Sequence, residues 1–235
     1  MMIGILKESE EEKRVAMLPD VVEMLTKMGI PVIVEADAGA GAFASDADYV
    51  SAGARIVTKP EACKAEMVLK INPPTEEEFR LIPEKTILFS QLNPLSNTNM
   101  VKKIADAGFT CFSLDVIPRT TRAQAMDILS SMATVNGYKA VLTAANSLPK
   151  FFPMFMTAAG TITPAKVLIL GAGVAGLQSI ATSRKLGAVV FVFDVRAAVK
   201  EEVIGLGAKF VDVEGAVDDK AAGGYAIEQT EEFKQ

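Results

Sequence analysis

Short apolar runs alternate with segments of helical spacing along the first half of the chain. The runs predict strands at 3–6, 31–35, 67–71, 86–90 and 109–114. Between them, amphipathic spacing with a glycine stop or a proline start predicts helices at 19–28, 46–52, 73–81 and 97–107. Strands that alternate with helices of this length predict an α/β fold with a mainly parallel sheet, because a parallel connection needs a crossover.

A second series of strands follows in the last third of the chain. Apolar runs at 167–170, 189–193 and 209–213 predict three strands, and 174–186 predicts a helix that ends at Gly187. A complete dinucleotide-binding fold contains two βαβαβ halves, and these elements supply one. The predicted fold class is therefore α/β with two doubly wound, Rossmann-like parallel-sheet domains, the second apparently truncated.

The pattern divides the chain into three segments. We predict an N-terminal α/β domain at 1–125, a linking helix and hinge at 126–165, and the first half of a Rossmann domain at 166–235. The linking segment begins within a helical pattern at 122–145 and continues through a stretch rich in Phe and Pro at 148–164. A ligand is expected in a cleft between two such domains.

The most specific motif lies where the first strand of the second domain meets its helix. Gly171, Gly173 and Gly176 have the G-x-G-x-x-G spacing, with Val174 and Ala175 opening the helix. The first glycine permits a tight turn, the second lets a pyrophosphate approach the backbone, and the third lets the helix pack on its strand. Helix N–H groups and the positive end of the helix dipole then face the phosphates.

An acidic residue ends the following strand. Asp194 lies about 20 residues beyond the glycines, where a carboxylate accepts hydrogen bonds from an adenosine ribose. Together with its neighbours Val195 and Arg196 it completes the predicted cofactor-binding set. A carboxylate there repels a 2′-phosphate and favours NAD(H). Arg196 is either an acceptor of a 2′-phosphate or a solvated residue that starts the next helix.

A polar cluster follows the last strand of the first domain. Its members are Arg119, Gln124, Asp127 and either Ser130 or Ser131. On a helix this spacing places an amide, a carboxylate and a hydroxyl along one face, which can hold a nicotinamide carboxamide and nearby ribose or phosphate groups. Alternatively, Thr121 with Gln124 forms a T-x-x-Q capping box that only starts the helix.

The composition narrows the chemistry. The chain has 235 residues, 50% of them hydrophobic, with a net charge of −5, a pI near 5.0 and a mean hydropathy of +0.28. The acidic balance argues against nucleic acid or an anionic membrane as partner. Two distant cysteines and no histidine argue against a metal site, and no uninterrupted apolar span or signal peptide indicates direct membrane insertion.

The polar cluster contains no obvious proton shuttle, since the chain has no histidine. Hydride transfer between two nicotinamides requires none, because the protein only aligns the two rings and excludes water. A dehydrogenase that reduces a keto acid requires a proton donor, which Lys or Tyr would have to supply here.

Four segments together resemble one family. They read RTTRAQAMDILSSMA, GYKAVLTAA, TAAGTITPAKVLILGAGVAGLQSIATSRKLGA and FDVRAAVKEEVIGLGAKF. They are similar to the NAD(H)-binding component of the proton-translocating pyridine nucleotide transhydrogenases, over essentially the whole chain. The N-terminal segment GILKESEEEKRVAMLPDVV is shared with the related alanine dehydrogenases.

The resemblance implies hydride transfer from NADH on this chain to NADP⁺ bound by a partner component, coupled to proton passage through a membrane component. It implies a homodimer, peripheral on the cytoplasmic face of the membrane through its partners. Arg119, Gln124, Asp127 and Ser130 would then position the nicotinamide. Within GGYAIEQTEEF, Tyr225 would close a mobile loop over the nucleotide, although a frayed acidic terminus explains the same segment.

Two other functions remain open. In the alanine dehydrogenases the catalytic lysine would fall at Asn72 and the catalytic histidine at Asn93, while Arg14 matches a carboxylate-binding arginine or is an ordinary surface charge. Loss of the lysine and the imidazole disfavours amino-acid oxidation. The second alternative is an inactive, truncated NAD-binding fragment that needs another polypeptide to complete it.

Overall fold

The computed structural model describes residues 1–118 and 120–213. The chain forms two compact units, Met1–Asp127 and a second unit that begins at Ile128. Each unit contains its own parallel sheet.

The first unit is built on a six-stranded parallel sheet in the order β3-β2-β1-β4-β5-β6. The strands are β1 (Ile3–Ile5), β2 (Val32–Glu35), β3 (Arg55–Val57), β4 (Met67–Leu69), β5 (Ile87–Ser90) and β6 (Thr110–Ser113). Ile3 pairs with Val32 on one side and with Met67 on the other. The strand order therefore reverses between β1 and β4, which is the switch point of a dinucleotide-binding topology.

In the described residues of this unit, five α-helices connect the strands, and local capping chemistry starts most of them. They are α1 (Pro19–Lys27), α2 (Asp46–Ser51), α3 (Lys59–Ala62), α4 (Glu76–Leu81) and α5 (Thr98–Asp106). Ser45, Thr58 and Thr75 open α2, α3 and α4 with capping boxes. Each box satisfies backbone N–H groups that the first helical turn leaves without a partner.

Apolar side chains cover both faces of the first sheet. Ile5 and Val34 pack with Tyr49 in one cluster, whereas Ile33 and Leu88 belong to a second cluster. All four residues of β2 are buried, as expected for a parallel strand covered on both faces. The prediction of an α/β fold with a parallel sheet is confirmed.

The second unit contains a smaller parallel sheet in the order β11-β10-β9 and a separate antiparallel hairpin, β7-β8. Its elements are α6 (Ile128–Ser147), β7 (Phe155–Thr157), β8 (Gly160–Ile162), β9 (Lys166–Leu170), α7 (Val174–Lys185), β10 (Val189–Phe193), α8 (Lys200–Gly205) and β11 (Lys209–Phe210). Val190 and Val192 of the central strand are buried with Ile180 of α7 in the core of this unit. The prediction of a second parallel sheet is also confirmed.

Helices α6 and α7 pack in very close contact. A Cβ atom on Gly137 would lie 2.1 Å from the carbonyl oxygen of Ala175. The Ser179 hydroxyl lies 2.8 Å from the carbonyl oxygen of Ala175 and 3.1 Å from that of Gly137, and it can donate to either. A side chain at residue 137 would therefore push the two helices apart.

The prediction of a continuous helix from 122 is wrong at its start. Gln124–Met126 form a short 3-10 helix, Asp127 is extended with ψ 95°, and α6 begins only at Ile128. The capping box proposed for Thr121 and Gln124 is wrong too, because the N-cap of this short helix is Ala123 and no side chain caps it.

Other segments also differ from the sequence patterns. The segment 148–164, expected to be a hinge, contains the β7-β8 hairpin, and the strand expected at 209–213 ends at Phe210. Strand β3 and helix α3 were not expected. The division into 1–125, 126–165 and 166–235 stays a prediction.

Candidate functional site

The glycine-rich turn follows β9 directly. Gly171 has φ +94°, a conformation that glycine adopts readily and other residues rarely do. Its N–H donates to the carbonyl oxygen of Phe193 over 2.8 Å, which extends the pairing of β9 with β10 into the turn. Gly173 is then the N-cap of α7.

The other two glycines of the motif have different physical reasons. A Cβ atom on Gly176 would lie 1.9 Å from the carbonyl oxygen of Gly171, so the packing of helix against turn requires glycine. A Cβ atom on Gly173 would meet nothing within 4 Å. Internal packing does not explain glycine at position 173, whereas close approach of a ligand to the bare backbone does.

The N-terminus of α7 completes an anion-binding surface. Gly173 provides no side chain to cap it, and none of the side chains in the described ranges takes that role. The N–H groups of the first turn, which includes Val174 and Ala175, have no acceptor within the helix. They point along the positive end of a 12-residue helix and suit a phosphate group.

Asp194 joins the end of β10 to this turn. Its side chain is buried, and its Oδ2 accepts a hydrogen bond of 2.7 Å from the backbone N–H of Ala172. Arg196 follows after Val195 and donates to both carboxylate oxygens, from Nε to Oδ1 at 3.0 Å and from Nη2 to Oδ2 at 2.8 Å. The Arg196 backbone N–H donates to Oδ1 over 2.8 Å.

The Asp194 carboxylate is held in its charged form. Burial raises its pKa, but hydrogen bonds from Arg196 and from the Ala172 N–H outweigh burial, and the net pKa lies below the ordinary value of 3.8. A pKa lowered on folding means that the charged carboxylate stabilises the fold above the ordinary pKa, and that this stabilisation is lost as the pH falls.

The predicted nicotinamide residues fall in both units. Gln124 is exposed in the short 3-10 helix, and Asp127 is half-buried at the end of the first unit. Ser130 is half-buried in the first turn of α6, in the second unit. These three residues do not share one helix, so the helix-face argument for them is wrong, while their predicted role stays a prediction. Arg119 and Tyr225 lie outside the described residues.

A buried ionic network closes the carboxyl edge of the first sheet at its switch point. Lys70 follows β4, and its ammonium lies 3.1 Å from Glu78 Oε1 and 3.5 Å from Glu8 Oε2, with all three side chains at most 3% exposed. Glu8 follows β1 and accepts hydrogen bonds from the backbone N–H of Ile71 and from the side-chain amide of Asn72. The crevice where this topology places ligands is therefore filled by the chain itself.

The remaining residues compared with alanine dehydrogenases are also engaged. The Arg14 guanidinium donates to both carboxylate oxygens of Glu12, at 2.8 and 2.6 Å. Asn93 has φ +51°, and its backbone N–H donates to Asp115. Neither a lysine nor an imidazole stands at Asn72 or Asn93.

Two features of the site were not predicted from the sequence. The hydrogen bond from Ala172 to Asp194 spans 22 residues and involves a backbone group, so no residue type signals it. The contact of Gly137 with Ala175 did leave a signal, because a glycine inside a long helix costs stability and usually has a packing reason.

The fold and the turn define a class: an α/β protein with two parallel sheets and a dinucleotide-type glycine turn in the second. Comparison with protein families makes this specific. Residues 4–136 match the family model "Alanine dehydrogenase/PNT, N-terminal domain", and residues 140–235 match "Alanine dehydrogenase/PNT, C-terminal domain". The chain belongs to the alanine dehydrogenase/PNT family.

Individual relatives fall on both sides of this family. The whole chain aligns at 45% identity with the first of the polypeptides that form NAD(P) transhydrogenase subunit alpha in Rhodospirillum rubrum, and covers 64% of it. A crystal structure of a transhydrogenase from Sinorhizobium meliloti superposes with a TM-score of 0.88 at 45% identity, over 91% of this chain and 62% of that one. An alanine dehydrogenase of Halomonas elongata is 34% identical over 83% of this chain and 53% of its own length. The chain thus spans between half and two thirds of these relatives.

Proposed function

We propose that this chain is the NAD(H)-binding component of a proton-translocating NAD(P) transhydrogenase. The observation that carries the proposal is the glycine turn of Gly171 and Gly173, held against the buried carboxylate of Asp194 by the Ala172 N–H. This arrangement suits a pyrophosphate beside an unphosphorylated ribose. The 45% identity to a transhydrogenase alpha subunit supports the reaction.

Each half of the coenzyme has its residues in this proposal. The pyrophosphate lies on Gly171, Gly173 and the first turn of α7 with Val174 and Ala175, while Gly176 keeps that helix close to its turn. Asp194, with Val195 and Arg196 beside it, surrounds the adenosine ribose.

Four further residues, Arg119, Gln124, Asp127 and Ser130, position the nicotinamide in this proposal, and Tyr225 covers the bound nucleotide. Bound NADH supplies the hydride, so the chain has to orient the ring and exclude water but needs no proton donor.

The proposal includes partners. NADP(H) binds to a second component, a membrane component passes protons, and two copies of this chain associate as a dimer. The chain then works on the cytoplasmic side of the membrane and reaches it through those partners. Over residues 1–118 and 120–213, no helix has both the length and the apolar character needed to cross a bilayer.

Alanine dehydrogenase activity is the second candidate, because 34% identity to such an enzyme and the presence of Arg14 favour it. Three contacts weigh against it. Glu12 occupies the Arg14 guanidinium, Glu8 holds the Asn72 amide, and Asn93 provides no imidazole. Amino-acid oxidation requires a base to accept a proton, and the carboxylates Glu8 and Glu12 at this edge of the first sheet are already tied to cations or amides.

Two measurements test the proposal. NADH is titrated into the chain alone, where a saturable isotherm is expected and its absence points to a chain that needs another polypeptide to bind. The chain is then combined with the NADP(H)-binding and membrane components, and the reduction of thio-NADP⁺ by NADH is followed beside an alanine-plus-NAD⁺ assay. An alanine rate comparable to the transhydrogenation rate would overturn the proposal.

A further inference from the structure

The Asp194 carboxylate already has a full set of hydrogen bonds. Oδ1 accepts from the backbone N–H and the Nε–H of Arg196, at 2.8 and 3.0 Å. Oδ2 accepts from the backbone N–H of Ala172 and from Nη2 of Arg196, at 2.7 and 2.8 Å. A carboxylate offers about four lone-pair positions, and all of them are filled here.

The four bonds fall into two groups. The two from the backbone hold the carboxylate against the glycine turn and depend on the fold of the chain. The two from the Arg196 side chain depend only on a rotatable arm, which extends from a backbone with φ −89° and ψ 113°. A vicinal ribose diol donates two hydrogen bonds, the same number that the guanidinium makes.

We propose that the Arg196 side chain holds the place of the coenzyme ribose on Asp194 and is displaced when an adenine dinucleotide binds. The inference rests on the proposed NAD(H) site and deepens it. The ribose hydroxyls replace Nε–H and Nη2–H on the two carboxylate oxygens, while the backbone bonds from Ala172 and Arg196 remain.

The same pair sets coenzyme selectivity. A guanidinium beside the ribose position is the group that accepts a 2′-phosphate in NADP-binding sites, because its planar fork matches phosphate oxygens. In this chain Asp194 holds that fork through a bidentate contact and also repels the phosphate. Removal of the negative charge releases Arg196 and creates a 2′-phosphate site from residues already present.

The test uses ligands that occupy only the adenosine half. ADP-ribose and 2′-phospho-ADP-ribose are titrated by calorimetry into the wild-type chain, D194N, R196M and the double variant D194N/R196M. The amide oxygen of D194N still accepts the Ala172 N–H, and methionine keeps most of the length of the arginine stem. Unfolding curves of all four proteins establish that each is folded.

The expected pattern is specific. R196M binds ADP-ribose at least as tightly as the wild type, because no placeholder has to leave. D194N binds 2′-phospho-ADP-ribose at least about tenfold more tightly than the wild type, as expected for a released charge-assisted contact. The double variant loses that gain.

Contrary results separate this inference from the proposed function. Weaker ADP-ribose binding by R196M would show that Arg196 is a direct ligand and would overturn the placeholder role. No gain in D194N, or a gain that persists in the double variant, would overturn the selectivity role. If none of the four folded proteins bound either ligand, the nucleotide site itself would be refuted, and this inference with it.

Discussion

Gly137 in α6 lies directly against Ala175 in α7, so close that a Cβ atom at residue 137 would meet the Ala175 carbonyl oxygen at 2.1 Å. Ala175 belongs to the first turn of the helix that follows the glycine turn. The contact therefore fixes the α6 backbone, which carries Ser130 about two helical turns before Gly137, relative to the proposed pyrophosphate position.

The substitution Gly137→Ala should destabilise the second unit. Alanine in a helix interior normally gains up to about 1 kcal/mol over glycine, but overpacking of this kind costs about 1–3 kcal/mol. Because the clash involves backbone, we expect the loss to dominate, as a lower urea midpoint at unchanged m-value. The matched control is Gly205→Ala at the end of α8, where a Cβ atom meets nothing within 4 Å. Equal midpoints for G137A and the wild type would refute the prediction.

Substitutions at Gly173 and Gly176 should separate binding from folding. Gly173→Ala places its Cβ in open space, so it should lose at most about 1 kcal/mol through a weaker N-cap, yet weaken NADH binding because the methyl group meets the pyrophosphate. Gly176→Ala drives its Cβ to 1.9 Å from the carbonyl oxygen of Gly171 and should lose both stability and binding. Unfolding curves and NADH titrations of both variants make the comparison. If G173A bound NADH as tightly as the wild type, the pyrophosphate would not approach there.

Removal of the buried cation in the first unit should be severe. Lys70→Met leaves Glu8 and Glu78 buried without their partner, which typically costs about 3–5 kcal/mol. The control is Lys103→Met, whose pair with Glu76 is largely exposed, with side chains 51% and 72% accessible. Such surface pairs contribute at most about 1 kcal/mol. Urea unfolding of both variants checks the contrast, and similar losses in the two would contradict it.

The pair of Glu12 with Arg14 should make stability depend on pH. The hydrogen bond from the Arg14 guanidinium is the main reason why the pKa of Glu12 falls from 4.5 to about 2. A carboxyl whose pKa is lowered on folding stabilises the protein above its unfolded pKa and loses that contribution as the pH falls through the folded value.

The free energies of unfolding of the wild type and Glu12→Gln are compared from neutral pH down toward about pH 2, the folded pKa of Glu12. The difference should be largest at neutral pH and shrink as Glu12 becomes protonated. Glu11→Gln, at the exposed neighbouring position, serves as the reference for a simple loss of charge. A difference that stays constant over this range would show that the ion pair does not form in solution.

Local chemistry explains which elements of this molecule were predictable from its sequence. The segment from Lys166 to Phe193 was predicted almost to the residue, because apolar runs, helical spacing and glycine punctuation all occur within it. The capping boxes at Thr58 and Thr75 are equally local, and the segment TKPEA after Val57 could have revealed α3. Strand β3 has only three residues and no buried one, so it left little pattern.

The errors arise where distant contacts decide the outcome. Hydrophobic spacing from Arg122 to Ala145 is compatible with one helix, and nothing in it marks the extended backbone at Asp127. The segment of Phe155 to Ile162 contains Gly160 with φ +138° and forms a hairpin, although its Phe and Pro surroundings suggested an irregular hinge. The bonds of Asp194 depend on the pairing of β9 with β10, so motif spacing identified the carboxylate but not its partners.

The network of Lys70, Glu8 and Glu78 bears on stoichiometry. Both units carry parallel sheets of a dinucleotide-binding type, and two such sheets would naively suggest two coenzyme molecules for each chain. In the first unit, however, β1 leads into Leu6, Lys7 and Glu8 rather than a glycine turn, and salt-bridged side chains occupy the crevice. Calorimetric saturation should accordingly come at one equivalent of NADH per polypeptide.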